Sequence, residues 1–169
     1  MALKLSTGKI AFPIEFDNGD VQNIYFNPSD PELGTRFIAA NEAIKARMNQ
    51  LEFADVELTE GEIPVDVSSI ENFEDVTEGQ AEYIQKKAAL IAEITESTKK
   101  IIYEELDKAF DSEVSKVVFK YCSPLAVVNG EYYITMFLKA ITPEIRKYAE
   151  KSNEEAQKRM NKHIGKYTK

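Results

Sequence analysis

His163 and Cys122 are the chain's only histidine and only cysteine, and they come first as residues that could do chemistry. A nucleophilic thiol needs a base or a helix N-terminus beside it to lower its pKa. Cys122 stands between Tyr121 and Ser123-Pro124 with neither signalled, so it reads as a plain buried thiol. His163 lies beside the apolar stripe of a basic C-terminal stretch, with no Ser, Cys or Asp motif to pair with, and reads as structural or solvent-facing. Asp17, Asn18 and Asp20 suggest calcium, but the spacing and closing glutamate of an EF-hand are missing, and a turn accounts for them. The seven glycines form neither a P-loop nor a dinucleotide fingerprint, and there is no GxSxG elbow. A single cysteine excludes an internal disulfide, and no Cys/His cluster marks a zinc site. The expectation is no catalytic residue, no metal and no cofactor.

Charge is the next feature. The chain has 169 residues and a formal net charge of −8. Ten acidic residues and no Lys or Arg fall between Glu52 and Gly79, which leaves 19 acidic against 21 basic residues elsewhere. From Pro143 to Lys169 eight basic residues face Glu144, Glu150, Glu154 and Glu155. The mixed charges and the lack of aromatic-basic interleaving argue against nucleic acid and for an ordinary solvated helix face. The acidic stretch reads as a surface linker, although Ile63, Val65 and Val67 alternate across Pro64 and Asp66, and Ile70, Phe73 and Val76 follow. A docked arm or partner-binding segment is the alternative. Its unpatterned carboxylates are more simply solvated than bound to magnesium.

The elements that would carry these residues follow from local pattern. Ile10–Phe16 and Val21–Phe26 flank Asp17-Asn18-Gly19-Asp20, which predicts a β-hairpin closed by a type I′ turn at Asn-Gly, with Pro13 on an edge. Asp30 as N-cap with Pro31 at the first position opens a helix to about Leu51, while Ser29 and Glu32 offer a competing capping box. Its face carries Leu33, Phe37, Ile44, Met48 and Leu51, with Ile38 beside them. Thr77 and Gln80 form a second capping box ahead of a helix from about Glu78 to Phe110, striped by Ile84, Ala88, Ile91, Ile94, Ile101, Ile102, Leu106 and Ala109 and interrupted by Thr95 and Thr98. Such a helix spans roughly 48 Å, longer than a compact domain of this size is wide. Glu82–Lys86 and Glu96–Lys100 are spaced to pair on its outside.

Asp111–Tyr121 predicts a short helix capped by Ser112, and Asn129-Gly130 a turn. Glu131–Ile141 is densely apolar and favours helix, with Tyr133, Phe137, Ala140 and Ile141 on one face; strand is the alternative. Thr142-Pro143-Glu144 is expected to cap a separate last helix striped by Ile145, Tyr148, Ala149, Ser152, Ala156, Met160 and Ile164. The fold class is therefore α+β, mostly α: an N-terminal β-hairpin, then a helical body with one long helix and an acidic linker. The regions are 1–51, the hairpin with its helix; 52–79, the acidic linker or arm; and 80–169, the helical C-terminal part, all within one domain. No apolar run approaches the roughly 18 residues that span a bilayer, and the N-terminus has no secretory h-region. The expectation is a soluble protein of a reducing compartment.

With these elements in order, the chain resembles the small tail assembly chaperones of long-tailed bacteriophages and prophages, of the group common in Firmicutes. The resemblance rests on IEFDNGDVQNIYFNPSDPELGTRF (Ile14–Phe37), EELDKAFDSEVSKVVF (Glu104–Phe119) and EYYITMFLKAITPEIRKYAEKSNEEAQKRM (Glu131–Met160). Members often carry a glycine-marked FGxG…FG-like turn after the long helix; here Phe110 and Phe119 are kept and the glycines are not. The resemblance implies a non-enzymatic protein of the bacterial host cytoplasm, not expected in the mature virion. It would bind and solubilise the tape measure protein before tail tube polymerisation, with self-association and the tail tube protein as further partners, and without nucleic acid or membrane. An exposed apolar helix face is the kind of surface that does this. The candidate partner-binding residues are Ile84, Ile91, Ile94, Ile101 and Ile102 on the long helix, and Val65, Val67 and Phe73 in the acidic stretch. The alternatives are a structural tail or head–tail connector component, and a small metal-dependent nuclease using scattered carboxylates.

Overall fold

Strands β1 (Ile10–Glu15) and β2 (Val21–Phe26) pair antiparallel from Ile10↔Phe26 to Glu15↔Val21. This computed structural model describes residues 3–59 and 78–167, and side chains over 3–51, 81–155 and 157–162. The hairpin loop is not the type I′ turn that Asn18-Gly19 suggested. Phe16 N–H donates to Asp20 O, Gly19 N–H donates to Phe16 O, and Gly19 alone in the loop has positive φ, at +78°. That is a three-residue loop, a turn followed by a left-handed glycine, which places the bulge on Gly19. A two-residue loop with both φ positive does occur further on. Asn129 (+53°) and Gly130 (+82°) join β3 (Val127–Val128) to β4 (Glu131–Tyr132).

One face of the β1–β2 hairpin carries Ile10, Phe12, Ile14, Ile24 and Phe26, and the helices cover it, as a two-stranded ribbon requires. Helix α1 (Leu33–Thr59) starts on Asp30, whose Oδ1 accepts from Glu32 N–H at 2.9 Å. Asp30 is therefore the cap, and the Ser29 amide bonds Asn27 instead. Leu33, Phe37, Ala40, Ile44 and Met48 face the core, while Ile38 is 61% exposed rather than beside them. The helix runs on past Leu51 into the acidic stretch, because Glu52, Ala54, Glu57 and Leu58 are helix formers and no breaker occurs before Gly61.

Helix α2 (Glu78–Phe110) is continuous, about 50 Å long at 1.5 Å per residue. It begins where the Thr77–Gln80 box placed it, although those cap side chains lie outside the described residues. Glu82–Lys86 pairs at 2.7 Å as spaced, but Glu96 pairs with Lys99, and Lys100 reaches toward Glu104. α2 ends in a Schellman arrangement: Ser112 N–H returns to Asp107 O, Asp111 N–H to Lys108 O, and Asp111 takes φ +49°. Helix α3 (Val114–Val118) is shorter than expected and is not capped by Ser112. Ser112 Oγ instead donates to Tyr25 O at 2.6 Å, fastening the hairpin. Asp107, from α2, serves the start of α3: Ser115 N–H and Oγ–H donate to its two oxygens at 2.7 and 2.8 Å.

The largest departure lies in α4 (Tyr133–Tyr167), one helix with Pro143 inside it, where two elements were expected. Only Glu131 and Tyr132 are strand. Ile134, Leu138, Ile141 and Ile145 form a stripe spaced 4, 3 and 4 that is buried on both sides of the proline. An interior proline costs about 3 kcal/mol, whereas burying each of these side chains is worth about 1.5–3 kcal/mol. Continuity wins. The predicted face of Tyr133, Phe137 and Ala140 is half-buried or exposed, and of that set only Ile141 is core.

Among the described residues, seventeen buried hydrophobic side chains form one core drawn from β2, α1, α2, α3 and α4, so residues on both sides of the acidic stretch share it. Rings set its axis. Phe119 sits between Tyr103 and Tyr133, and Phe26 between Phe110 and Tyr148, with centroids 5.4–6.2 Å apart. α2 and α4 therefore run in the same sense through the core. α1 runs against α2, since Arg36 Nε bonds Ala109 O and Arg47 Nε bonds Thr98 Oγ1. The protein is α+β and mostly α.

Candidate functional site

Among the described residues, the buried side chains of α2 lie in its second half. Thr98, Ile102, Leu106, Ala109 and Phe110 are buried, and Ile101 is half-buried. Toward the helix start, Ile84 and Ile94 are half-buried, while Leu90 and Ile91 are each 43% exposed. Ile102 is thus corrected from a partner-facing residue to a core residue, fully enclosed because it falls on the stretch of α2 whose stripe joins the core shared with α1 and α4. Val65, Val67 and Phe73 lie outside the described residues. What unites Ile84, Ile91, Ile94 and Ile101 is position along α2 rather than a pocket.

The boundary between the two halves is marked by polar side chains. Thr98 is fully buried on the apolar stripe, and its hydroxyl donates to Ile94 O at 2.7 Å and accepts from Arg47 Nε at 3.1 Å. Arg47 also donates to Ser97 Oγ and to Gln50 Oε1. A buried hydroxyl satisfied in this way costs little, and the guanidinium fork fixes the register of α1 on α2. Thr98 is therefore a satisfied part of the packing rather than a break in it.

A second surface escaped the sequence reading. α1 and α4 flank an open groove with a cavity of about 690 Å³. Ile44, Met48 and Leu138 line it from below, and Lys45, Arg146 and Lys147 are exposed along it. Lys139 also lines it but is bonded to Glu131, and Glu150 stands at one end. The 4-3-4 spacing of Ile134, Leu138, Ile141 and Ile145 signals the continuous α4 that forms one wall, although of the four only Leu138 lines the groove. Reading Pro143 as a helix start concealed it.

The residues first weighed for chemistry are accounted for locally. Asp20 accepts from Tyr121 OH at 2.8 Å, Lys120 Nζ at 3.0 Å and Gln22 Nε2 at 2.8 Å. Those bonds, that of Tyr121 foremost, hold its carboxyl down to about 2. The hairpin tip is thereby tied to the loop after α3, where Phe16 meets Tyr121 edge-on at 5.1 Å. Cys122 is half-buried near Tyr133, whose hydroxyl burial pushes up in pKa, with the charge of Cys122 a lesser cause. Arg36 beside Asp30 holds that carboxyl below its ordinary value. The side chain of His163 lies outside the described residues. Among the described residues no three His, Cys, Asp or Glu side chains gather as a metal site, and no helix is long and apolar enough to cross a membrane.

Among the described residues two helical surfaces stand out: the first half of α2, with Leu90 and Ile91 exposed, and the groove between α1 and α4. No family model, curated protein or solved structure matches the chain.

Proposed function

We propose that this chain is a non-enzymatic phage tail assembly chaperone, which binds the tape measure protein and keeps it soluble until tail tube subunits polymerise around it. It would act in the cytoplasm of the bacterial host. The observation that carries the reading is the outer half of α2. About 50 Å of helix is built, the core encloses side chains only from Thr98 onward, and Leu90 and Ile91 are left 43% exposed. A long helical client that is not yet enclosed by its tube presents apolar stripes of its own, and two such stripes bury each other. The resemblance of Ile14–Phe37, Glu104–Phe119 and Glu131–Met160 to tail assembly chaperones supports the same reading.

The test is co-expression with the tape measure protein. Wild-type chain keeps the client in the soluble fraction and co-purifies with it. Leu90→Glu/Ile91→Glu, which alters no core residue, loses both effects while retaining its helical circular dichroism. A tape measure protein equally soluble and unbound with or without this chain refutes the proposal. Presence of the chain in mature particles refutes it in favour of a structural tail or head–tail connector component.

A further inference from the structure

We infer that the groove between α1 and α4 is a docking site for an acidic amphipathic helix of a partner protein. This deepens the chaperone reading and rests on it for the existence of a partner. Charge is the first argument. The chain carries −8 overall, yet Lys45, Arg146 and Lys147 are exposed along one groove without an ion pair to another described residue. Glu150 is the single acid of that lining. Outside residues 52–79 the charges nearly balance, so an acidic segment is drawn to this rim, which gives both steering and register.

The floor decides the conformation of the occupant. Ile44, Met48 and Leu138 give an apolar floor, and Asn41, Asn49, Thr135 and Thr142 beside them sit on helices α1 and α4, whose paired backbone offers no edge to a visitor. An extended segment laid there would bring unpaired amides onto apolar surface, at a penalty for each. A helix satisfies its own amides and can set apolar side chains at i, i+3, i+4 and i+7 into the floor. Its acidic flanks then lie against Lys45 on α1 and against Arg146 and Lys147 on α4. Pro143 adds specificity at the wall: it has no N–H, so the Lys139 carbonyl lacks its helical donor there and remains an acceptor.

The probe is a synthetic 18-residue peptide with Leu and Ile at helical spacing and Glu on its flanks, titrated against the full chain by fluorescence anisotropy. The expected result is saturable binding that weakens tenfold or more in Arg146→Glu/Lys147→Glu, strengthens in Glu150→Lys, and falls as salt rises from 50 to 500 mM. Both altered surfaces are exposed, and circular dichroism checks that the fold is kept. Equal binding of the same peptide with Lys flanks overturns the inference, as does binding indifferent to the charge reversals. Two other occupants are separated in the same series. A peptide that binds only after the acids between residues 60 and 77 are neutralised assigns the groove to the chain's own acidic stretch and overturns the inference. Self-association of the wild-type chain that Arg146→Glu/Lys147→Glu abolishes assigns it to a second copy, with the same consequence. None of these measurements involves the tape measure protein. Failure of the groove and failure of the chaperone reading are therefore distinguishable.

Discussion

Replacing Pro143 by alanine should stabilise the protein. In α4 the proline interrupts the hydrogen-bond ladder between Lys139 and residue 143, and its ring crowds the turn before it. Alanine restores the donor and has the highest helix propensity; in a helix interior the difference is about 3 kcal/mol. One feature reduces the gain: the groove side is open to water that can hydrate the Lys139 carbonyl. A net gain of about 2 kcal/mol remains, which for a chain of this length raises Tm by about 4–8 °C. Thermal and urea melts followed at 222 nm measure it, and the new amide at position 143 should be protected from hydrogen exchange. The opposite outcome is equally informative. If Pro143 began a separate helix, its fixed φ would suit the first turn and alanine would leave Tm unchanged or lower it. That result would refute the continuous α4, and with it the groove that α4 builds.

Three further outcomes follow from the same structure. Asp111→Gly should raise stability by about 0.5–1 kcal/mol, because glycine takes φ +49° without strain and the lost pairing with Lys9 is solvent-exposed; urea denaturation reads it. Asp107→Ala should cost about 2–3 kcal/mol, since it strips two charge-assisted bonds from Ser115, which is only 7% exposed, and loosens α3 from α2. Asp20 titrates at about 2 in the fold and at about 3.9 unfolded, so its contribution is present above about pH 4 and is lost as pH falls toward 2. The stability difference between wild type and Asp20→Asn should therefore shrink over that interval, and a difference constant from pH 6 to 2.5 would contradict the assignment.

Much of this architecture was legible locally, and the failures share a cause. Apolar alternation about Asn18-Gly19 located the hairpin, Asp30-Pro31 the start of α1, and the period-3.6 stripe the whole extent of α2. Each of those signals is decided within a few residues. Pro143, Thr98 and Asp111 were not so decided. Pro143 looked like a helix start because local chemistry favours it there, and only the burial of Ile134, Leu138, Ile141 and Ile145 on both sides of it outweighs that preference. Thr98 looked like a gap in the stripe until Arg47, distant in sequence, supplied its partner. Asp111 occupies a left-handed position without the glycine that would have announced it. The candidate site divides in the same way. Ile91 follows from the stripe of one helix, exposed Leu90 beside it lay off that stripe and was missed, and the groove needs the juxtaposition of α1 with α4 and has no signature in either alone.

The placement of the core explains why both surfaces can stay open. α1 and α2 run antiparallel, α4 runs with α2, and the buried stripes of all three coincide only over the hairpin and α3. Stability is concentrated where Phe26 meets Phe110 and Tyr148. Toward the start of α2 the described side chains are half-buried or exposed, and exposed pairs such as Glu82–Lys86 there are worth a few tenths of a kcal/mol. Helix that buries little in the core leaves its apolar residues exposed, and a change there has a small cost to folding. Leu90→Glu and Arg146→Glu can for that reason separate the two surfaces, whereas Phe26→Ala, at about 3–5 kcal/mol, would remove both at once.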